Sequence, residues 1–270
     1  MNKSEKPVRV PDIQTKKNQG EKITMLTAYS AWMARLLAAA GIDMLLVGDS
    51  LGMVELGYDS TLPVTMGDML RHCQAVRRGA PNALVIADMP FLSHQLSAAQ
   101  ALRNAGRLIQ EGEANAVKIE GGEAVASTIQ RIVDAGIPVQ GHVGLTPQSI
   151  NVLGGFRRQG KRPEEQERLL ADAAALEAAG AFSIVLECVP DELARAMSEQ
   201  VRVPVIGIGS GPYCDGQILV THDILGLTGP LVPAFAKHYA ELGGVIKEAA
   251  EAFASEVRAR VFPPGMGKEA

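Results

Sequence analysis

Met44-Leu-Leu-Val-Gly-Asp-Ser-Leu-Gly-Met-Val-Glu-Leu-Gly-Tyr-Asp-Ser-Thr-Leu-Pro-Val-Thr65 is the stretch from which the fold is read. Its first four residues are apolar without alternation, the pattern of a strand buried on both faces, as a parallel sheet requires. The run stops on Gly48, Asp49 and Ser50, and a glycine-punctuated loop, Gly52 to Pro63, follows. Connections from strand to helix usually take about 2–6 residues, so a loop of this length after a parallel strand points to function. The chain repeats the pattern of a buried run ending on a polar residue. Strands are expected over Ile23–Tyr29, Leu84–Pro90, Ala116–Glu120, Pro138–Gly144, Phe182–Glu187, Val203–Gly209 and Ile218–His222. Between them lie helical patterns, among them AWMARLLAAA stopping at Gly41, a helix opening near Thr65, one capped by Ser97, and one started by Pro163 with Glu164 and Glu165. A last helical pattern runs from Val232 through Phe235, Tyr239, Leu242, Ile246, Phe253 and Val257, with a break expected at Gly243-Gly244. Eight strands alternating with helices, without repeat or linker, predict an α/β chain folded as one (β/α)8 TIM barrel over residues 1–270, with 1–20 as an N-terminal arm or short helix.

Composition narrows the functions open to such a chain. Its 270 residues are 47% hydrophobic and 21% charged, enough apolar material for a filled core. A formal charge of -4 leaves no basic footprint for nucleic acid, and the densest cationic pairs, Lys16-Lys17 and Arg157-Arg158, are ordinary. A small-molecule partner is expected, and no membrane. The three cysteines, Cys73, Cys188 and Cys214, are widely spaced, which argues for neither a disulfide frame nor a thiolate zinc site and suits a cytoplasmic location.

The chemistry is read from the strand ends. Asp49, Asp88, Lys118 with Glu120, His142 and Glu187 close successive strands, and in a parallel barrel those ends share one mouth. Side chains alternate along a strand, so Lys118 and Glu120 share a face, as do Gln140 and His142. Carboxylates crowded about 4 Å apart repel by several kcal/mol at intermediate dielectric, which calls for a cation among them. Asp49, Asp88 and Glu120 offer only oxygen, the donor set of a hard ion such as Mg2+, on which a 2-oxo acid can chelate. Glu187 lies between Ser-Ile-Val-Leu and Cys-Val-Pro; that apolar setting is expected to raise its pKa and make it a general base for the proton beside the carbonyl. Lys118 can neutralise the enolate charge that develops.

Taken one at a time, these residues have plainer readings: Asp49 as a helix cap, Asp88 as a turn former, Glu120 as a loop carboxylate, Glu187 as a core carboxylate. Their joint occurrence at consecutive strand ends favours the shared site. His72, His94 and His238 read as helix or surface residues, Cys188 as a packing residue facing away from Glu187, and Gly207–Gly211 as either a phosphate cradle or a tight strand exit. The connection from Leu145 to Arg162 reads as a mobile lid.

Several long, ordered segments carry a family resemblance: MLTAYSAWMARLLAAAGIDMLLVGDSLGMVELGYDSTLPVT (25–65), VIADMPF (85–91), AVKIEGG (116–122), PVQGHVGLTPQS (138–149), SIVLECVP (183–190) and VIGIGSGPYCDGQILVTHDILGL (205–227). From Lys22 to the final helix the chain resembles the ketopantoate hydroxymethyltransferases. The resemblance implies a TIM barrel of the phosphoenolpyruvate/pyruvate superfamily type. It further implies Mg2+ dependence and transfer of a one-carbon unit from 5,10-methylenetetrahydrofolate to 3-methyl-2-oxobutanoate, through a Mg-stabilised enolate, in pantothenate synthesis. By resemblance Asp49, Asp88 and Glu120 bind the metal; Asp49, Ser50, Asp88, Lys118 and His142 contact substrate; Glu187 accepts the proton; and the assembly is a homodecamer. Phe156, where tyrosine is expected, and Tyr213-Cys214 depart from the family pattern in loops. A carbon–carbon lyase of the isocitrate lyase type is the nearest alternative, but it is expected to carry a reactive cysteine in the 145–162 loop, which has none.

Overall fold

The computed structural model describes residues 6–228 and 233–264. The chain divides into two compact units, residues 1–220 and 221–270. The first contains a closed barrel of eight parallel strands in sequence order. They are β1 (Ile23–Thr27), β2 (Met44–Val47), β3 (Leu84–Asp88), β4 (Ala116–Glu120), β5 (Val139–Gly144), β6 (Ser183–Glu187), β7 (Val205–Ile208) and β8 (Gly216–Leu219). Around them run α1 (Val10–Gln19), α2 (Ala31–Ala39), a one-turn α3 (Leu51–Val54), α4 (Met66–Gly79), α5 (Ala98–Gln110), α6 (Glu123–Asp134), a one-turn α7 (Ile150–Leu153), α8 (Pro163–Ala178) and α9 (Asp191–Gln200).

Helix starts follow the expected chemistry. Ser30, Thr65 and Ser97 each accept a hydrogen bond from the backbone N–H three residues on, and Thr65 with Asp68 forms a reciprocal capping box. Pro163 occupies the first turn of α8, with Glu164 and Glu165 at its positive end.

The pleat sorts the barrel interior into two zones. Ile23 and Met25, Met44 and Leu46, Leu84 and Ile86, Ala116, Val185, Ile206 and Ile218 form one buried apolar cluster, joined by Ile13 of α1. The N-terminal segment therefore contributes a core residue as well as covering one end of the barrel. Continuing two residues along the same faces gives Asp88 on β3, Lys118 and Glu120 on β4, and Glu187 on β6. The interior is oily toward the strand starts and charged toward the strand ends.

The last strand is shorter and earlier than the pattern Ile218–His222 suggests. Gly216 opens β8 opposite Ile23, where a Cβ would come within 2.4 Å of the Ile23 carbonyl oxygen, so only glycine permits the approach that closes the barrel. That glycine makes a strand start resemble a loop in sequence.

In the second unit, α10 (Thr221–Ile224) and α11 (Leu242–Arg258) are helical. The expected helix from Val232 is corrected here: Val232 lies outside the described residues, and Phe235 and Tyr239 precede the helix in a segment where Tyr239 N–H donates to Ile224 O. Nor do Gly243 and Gly244 break α11. They fall in its first turn, and a Cβ on Gly243 would sit 2.8 Å from Gly226 O, a close approach that requires glycine.

Candidate active site

Each expected site residue stands where a strand of the first unit ends. Gly48 terminates β2; a Cβ there would lie 2.8 Å from Ser50 Oγ and 3.4 Å from Asp88 Oδ2. With no side chain in the way, Asp49 N–H donates to Asp88 Oδ2 at 3.0 Å, tying β2 to β3. The Asp49 carboxylate does not cap α3: its Oδ2 accepts from Gln148 Nε2 at 2.9 Å. Ser50 Oγ lies 2.8 Å from Tyr29 Oη, a partner beyond β1 that sequence reasoning passes over.

On β4, Lys118 Nζ stands 3.0 Å from Asp88 Oδ1 and 4.0 Å from Glu120 Oε1, all three side chains being buried. Register pairs Glu120 with His142, and His142 Nδ1 lies 3.4 Å from Glu120 Oε1 and 3.0 Å from Lys118 Nζ. On its other edge His142 Nε2 is 3.1 Å from Glu187 Oε2. An unbroken series of polar contacts thus leads from Asp49 through Asp88, Lys118 and His142 to Glu187.

The setting of Glu187 differs from the expected apolar one: its carboxylate faces the imidazole, and its side chain is 14% exposed at the mouth. Cys188 likewise departs from a simple packing position. It leaves the strand with φ 54°, in the left-handed region, so strand alternation stops at Glu187. At the Gly207–Gly211 exit a Cβ on Gly211 would meet the Asp191 carboxylate within 2.4 to 2.8 Å, and an anion so placed opposes a phosphate cradle.

Burial and proximity set the charges. Asp49 is held well above the usual carboxylate pKa, first by burial and then by repulsion from Asp88 and Glu120. Burial also lifts Asp88 despite the stabilising Lys118 ammonium. For Glu120 burial is outweighed by His142, Lys118 and the Gln148 N–H, and its pKa falls. Lys118 resists the pull of burial because Asp88, Glu120 and Asp49 surround it, so it stays an ammonium. Burial and Lys118 oppose a charged His142, but Glu120 and Glu187 outweigh them and raise its pKa. In its neutral form His142 accepts from Lys118 at Nδ1, which leaves the ring proton on Nε2, the nitrogen 3.1 Å from Glu187 Oε2. His94 is buried rather than a surface residue, and burial lowers its pKa to about 4, so it is neutral.

Burial raises the pKa of both Asp49 and Asp88, and carboxylate repulsion adds to it at Asp49, so negative charge on this pair is poorly compensated. A hard cation with oxygen ligands fits this pair by charge and donor type. Among the described residues, however, no three histidine, cysteine or acidic side chains form a group that could hold a metal ion. Glu120 stands in the same network with its oxygens already engaged by Gln148, His142 and Lys118. Like Tyr29, Gln148 escapes sequence reasoning; it sits in the motif LTPQS without any charge or metal-ligand signature to single it out.

A sequence model of one family, described as ketopantoate hydroxymethyltransferase, matches residues 7–265. The 3-methyl-2-oxobutanoate hydroxymethyltransferase of Moorella thermoacetica is 57% identical over 256 residues, covering 95% of each chain. That of Desulfotalea psychrophila is 55% identical over 254 residues, covering 94% of this chain and 91% of the relative. Among solved structures, a phosphonopyruvate hydrolase complex with oxalate and Mg2+ matches with TM-score 0.63 at 16% identity, over 93% of this chain and 87% of that one. A 2,3-dimethylmalate lyase of the PEP mutase/isocitrate lyase superfamily matches with TM-score 0.61 at 18% identity, over 96% and 90%. Likeness at that level of identity speaks to the barrel alone.

Proposed function

The chain belongs to the ketopantoate hydroxymethyltransferase family, and from that premise we propose that it joins 3-methyl-2-oxobutanoate to the one-carbon unit of 5,10-methylenetetrahydrofolate, giving 2-dehydropantoate. The observation that carries the reading is the polar series Asp49–Asp88–Lys118–His142–Glu187, which puts acidic anchors, a buried cation and a partly exposed carboxylate backed by an imidazole at one mouth.

Glu187 takes the proton from C3 of the oxo acid; the C–H pair becomes the C2–C3 π bond and the carbonyl π pair moves onto the keto oxygen as the enolate forms. Lys118, kept charged by its carboxylate neighbours, stands ready to balance that oxygen. His142, between Lys118 Nζ at 3.0 Å and Glu187 Oε2 at 3.1 Å, links the charge of the lysine to the carboxylate that takes the proton. C3 then bonds to the methylene carbon, both bonds from that carbon to the two folate nitrogens break, and water supplies the hydroxyl oxygen. The proton taken from C3 and one proton of the water end on the two nitrogens. Asp49 and Asp88, the pair whose charge and donor type suit a hard ion, are the residues that would hold a divalent cation of the Mg2+ type, while Glu120 beside them stays engaged by Gln148, His142 and Lys118. When bound, such an ion supplies positive charge to the oxo acid's chelating oxygens. Folate as donor follows from the family; among the described residues no group reads as a pterin pocket. No helix among the described residues is long and apolar enough to cross a membrane.

The test is direct. Enzyme, oxo acid, methylenetetrahydrofolate and Mg2+ should yield the hydroxymethylated acid by mass spectrometry, and no product under any divalent metal would sink the proposal. Glu187→Gln should abolish exchange of the C3 hydrogen with deuterium in the absence of folate; undiminished exchange removes Glu187 from its role.

A further inference from the structure

The chain just beyond β5 touches four strand ends within four residues. Leu145 N–H donates to Glu187 O at 2.8 Å, at the end of β6. Gln148 N–H donates to Glu120 Oε2 at 3.0 Å, at the end of β4. The Gln148 side chain reaches further: Nε2 donates to Asp49 Oδ2 at 2.9 Å, beyond β2, and to Met89 O at 2.9 Å, beyond β3. Its Oε1 accepts from Gln95 Nε2 at 3.3 Å.

Geometry leaves this amide one orientation. Its two nearest neighbours are a carboxylate oxygen and a carbonyl oxygen, which only accept, so the nitrogen must face them. The residue is 6% exposed, and a buried amide turned the other way would leave two acceptors unpaired. The backbone is set as firmly. Pro147 fixes φ in the turn Pro147–Ser149, which Ser149 N–H closes onto Thr146 O at 2.9 Å.

We infer that Gln148 is a positioning residue for the reaction: it fixes the rotation of the Asp49 carboxylate and holds it in register with Glu120. The inference rests on the reading above that Asp49 belongs to the oxo acid and cation site. A carboxylate with one oxygen pinned by a buried donor cannot swing freely, so the direction of the other oxygen is set with it. The two arms are separable. The backbone contact to Glu120 survives any substitution, whereas the contact to Asp49 needs the side-chain N–H. Altering the residue therefore loosens Asp49 while leaving Glu120 in place.

Gln148→Met keeps length and removes the donors; Gln148→Glu keeps shape and replaces donors with an acceptor. Melting temperature, C3 deuterium exchange of 3-methyl-2-oxobutanoate with Mg2+, and Mn2+ binding by calorimetry are measured on the full chain. Partners that orient a ligand side chain are typically worth about 10–100-fold in metal affinity or activity. Gln148→Met is expected to melt within a few degrees of the wild type and Gln148→Glu lower, since it adds a buried acid beside Asp49. Both are expected to lose exchange by about that factor, at saturating as well as limiting oxo acid. Gln148→Met is expected to weaken Mn2+ binding by a similar factor. Exchange and Mn2+ binding within twofold of the wild type in Gln148→Met would overturn the inference, and so would full exchange activity in Gln148→Glu, since shape alone would then suffice. A wild-type chain that binds Mn2+ but exchanges no deuterium would sink the proposed function, and the Mn2+ comparison would still decide Gln148; one that does neither overturns both.

Discussion

Replacing Lys118 by methionine removes the lysine that stands between Asp88 and Glu120 in a site with three buried carboxylates. Its Nζ lies 3.0 Å from Asp88 Oδ1, with both side chains 4% exposed, so Asp88 is left as an uncompensated buried charge. Removing one partner of such a pair costs about 3–5 kcal/mol. At about 2–4 °C per kcal/mol for a chain approaching this size, the expected fall in melting temperature is roughly 6–20 °C. The dependence on pH has a definite sign. Asp88 already has a raised pKa, and loss of Lys118 raises it further, so the folded variant binds protons more tightly than the unfolded chain. Its deficit relative to the wild type is therefore greatest above the folded-state pKa of Asp88 and shrinks as pH falls toward the ordinary carboxylate range. Circular dichroism melts in chelator at pH 8 and pH 5 measure both effects. A loss under 2 °C at pH 8, or a deficit that widens on acidification, would refute the claim that Lys118 is the counter-ion of this cluster. Deuterium exchange at C3 should also fall by about 100-fold or more, as when a preorganised charge facing an oxyanion is removed.

Asp49→Asn should raise the melting temperature of the chelated protein at pH 8 and leave it unchanged near pH 4. The Asp49 pKa is raised by burial, then by Asp88 and Glu120, so its ionised form costs stability at high pH and the cost disappears once it is protonated. The same variant should lose any stabilisation by Mg2+, and a Mg2+ response equal to that of the wild type would contradict its place as a ligand. Gly144→Ala places a Cβ 2.2 Å from Glu187 O at a residue with φ 93°, so steric overlap and backbone strain together should cost about 2–5 kcal/mol in thermal melts. An unaltered melt would mean that β5 and β6 can part at their ends more easily than their hydrogen bonds suggest.

Much of the barrel is legible before folding because burial on both faces leaves unalternating apolar runs. MLLV, LVIAD and AVKIE announce themselves as parallel strands wherever they sit. Strand boundaries blur where glycine serves tertiary packing, as at Gly216, and helix boundaries where apolar spacing continues past the true start, as before Leu242. The charged site residues are legible for a related reason: a carboxylate or lysine on an inward face is a local anomaly that needs no knowledge of its partners.

The amino-acid sequence by itself determines which side chains arrive at the mouth, since strand parity places Asp88, Lys118, Glu120 and Glu187 on inward faces and chain order places them at strand ends. Only the closed barrel decides who meets whom. His142 stands between Lys118 and Glu187, and Gln148 reaches Asp49 across 99 residues of chain. Such contacts depend on how strands are staggered around the closed sheet, a property of all eight strands together that no local stretch encodes.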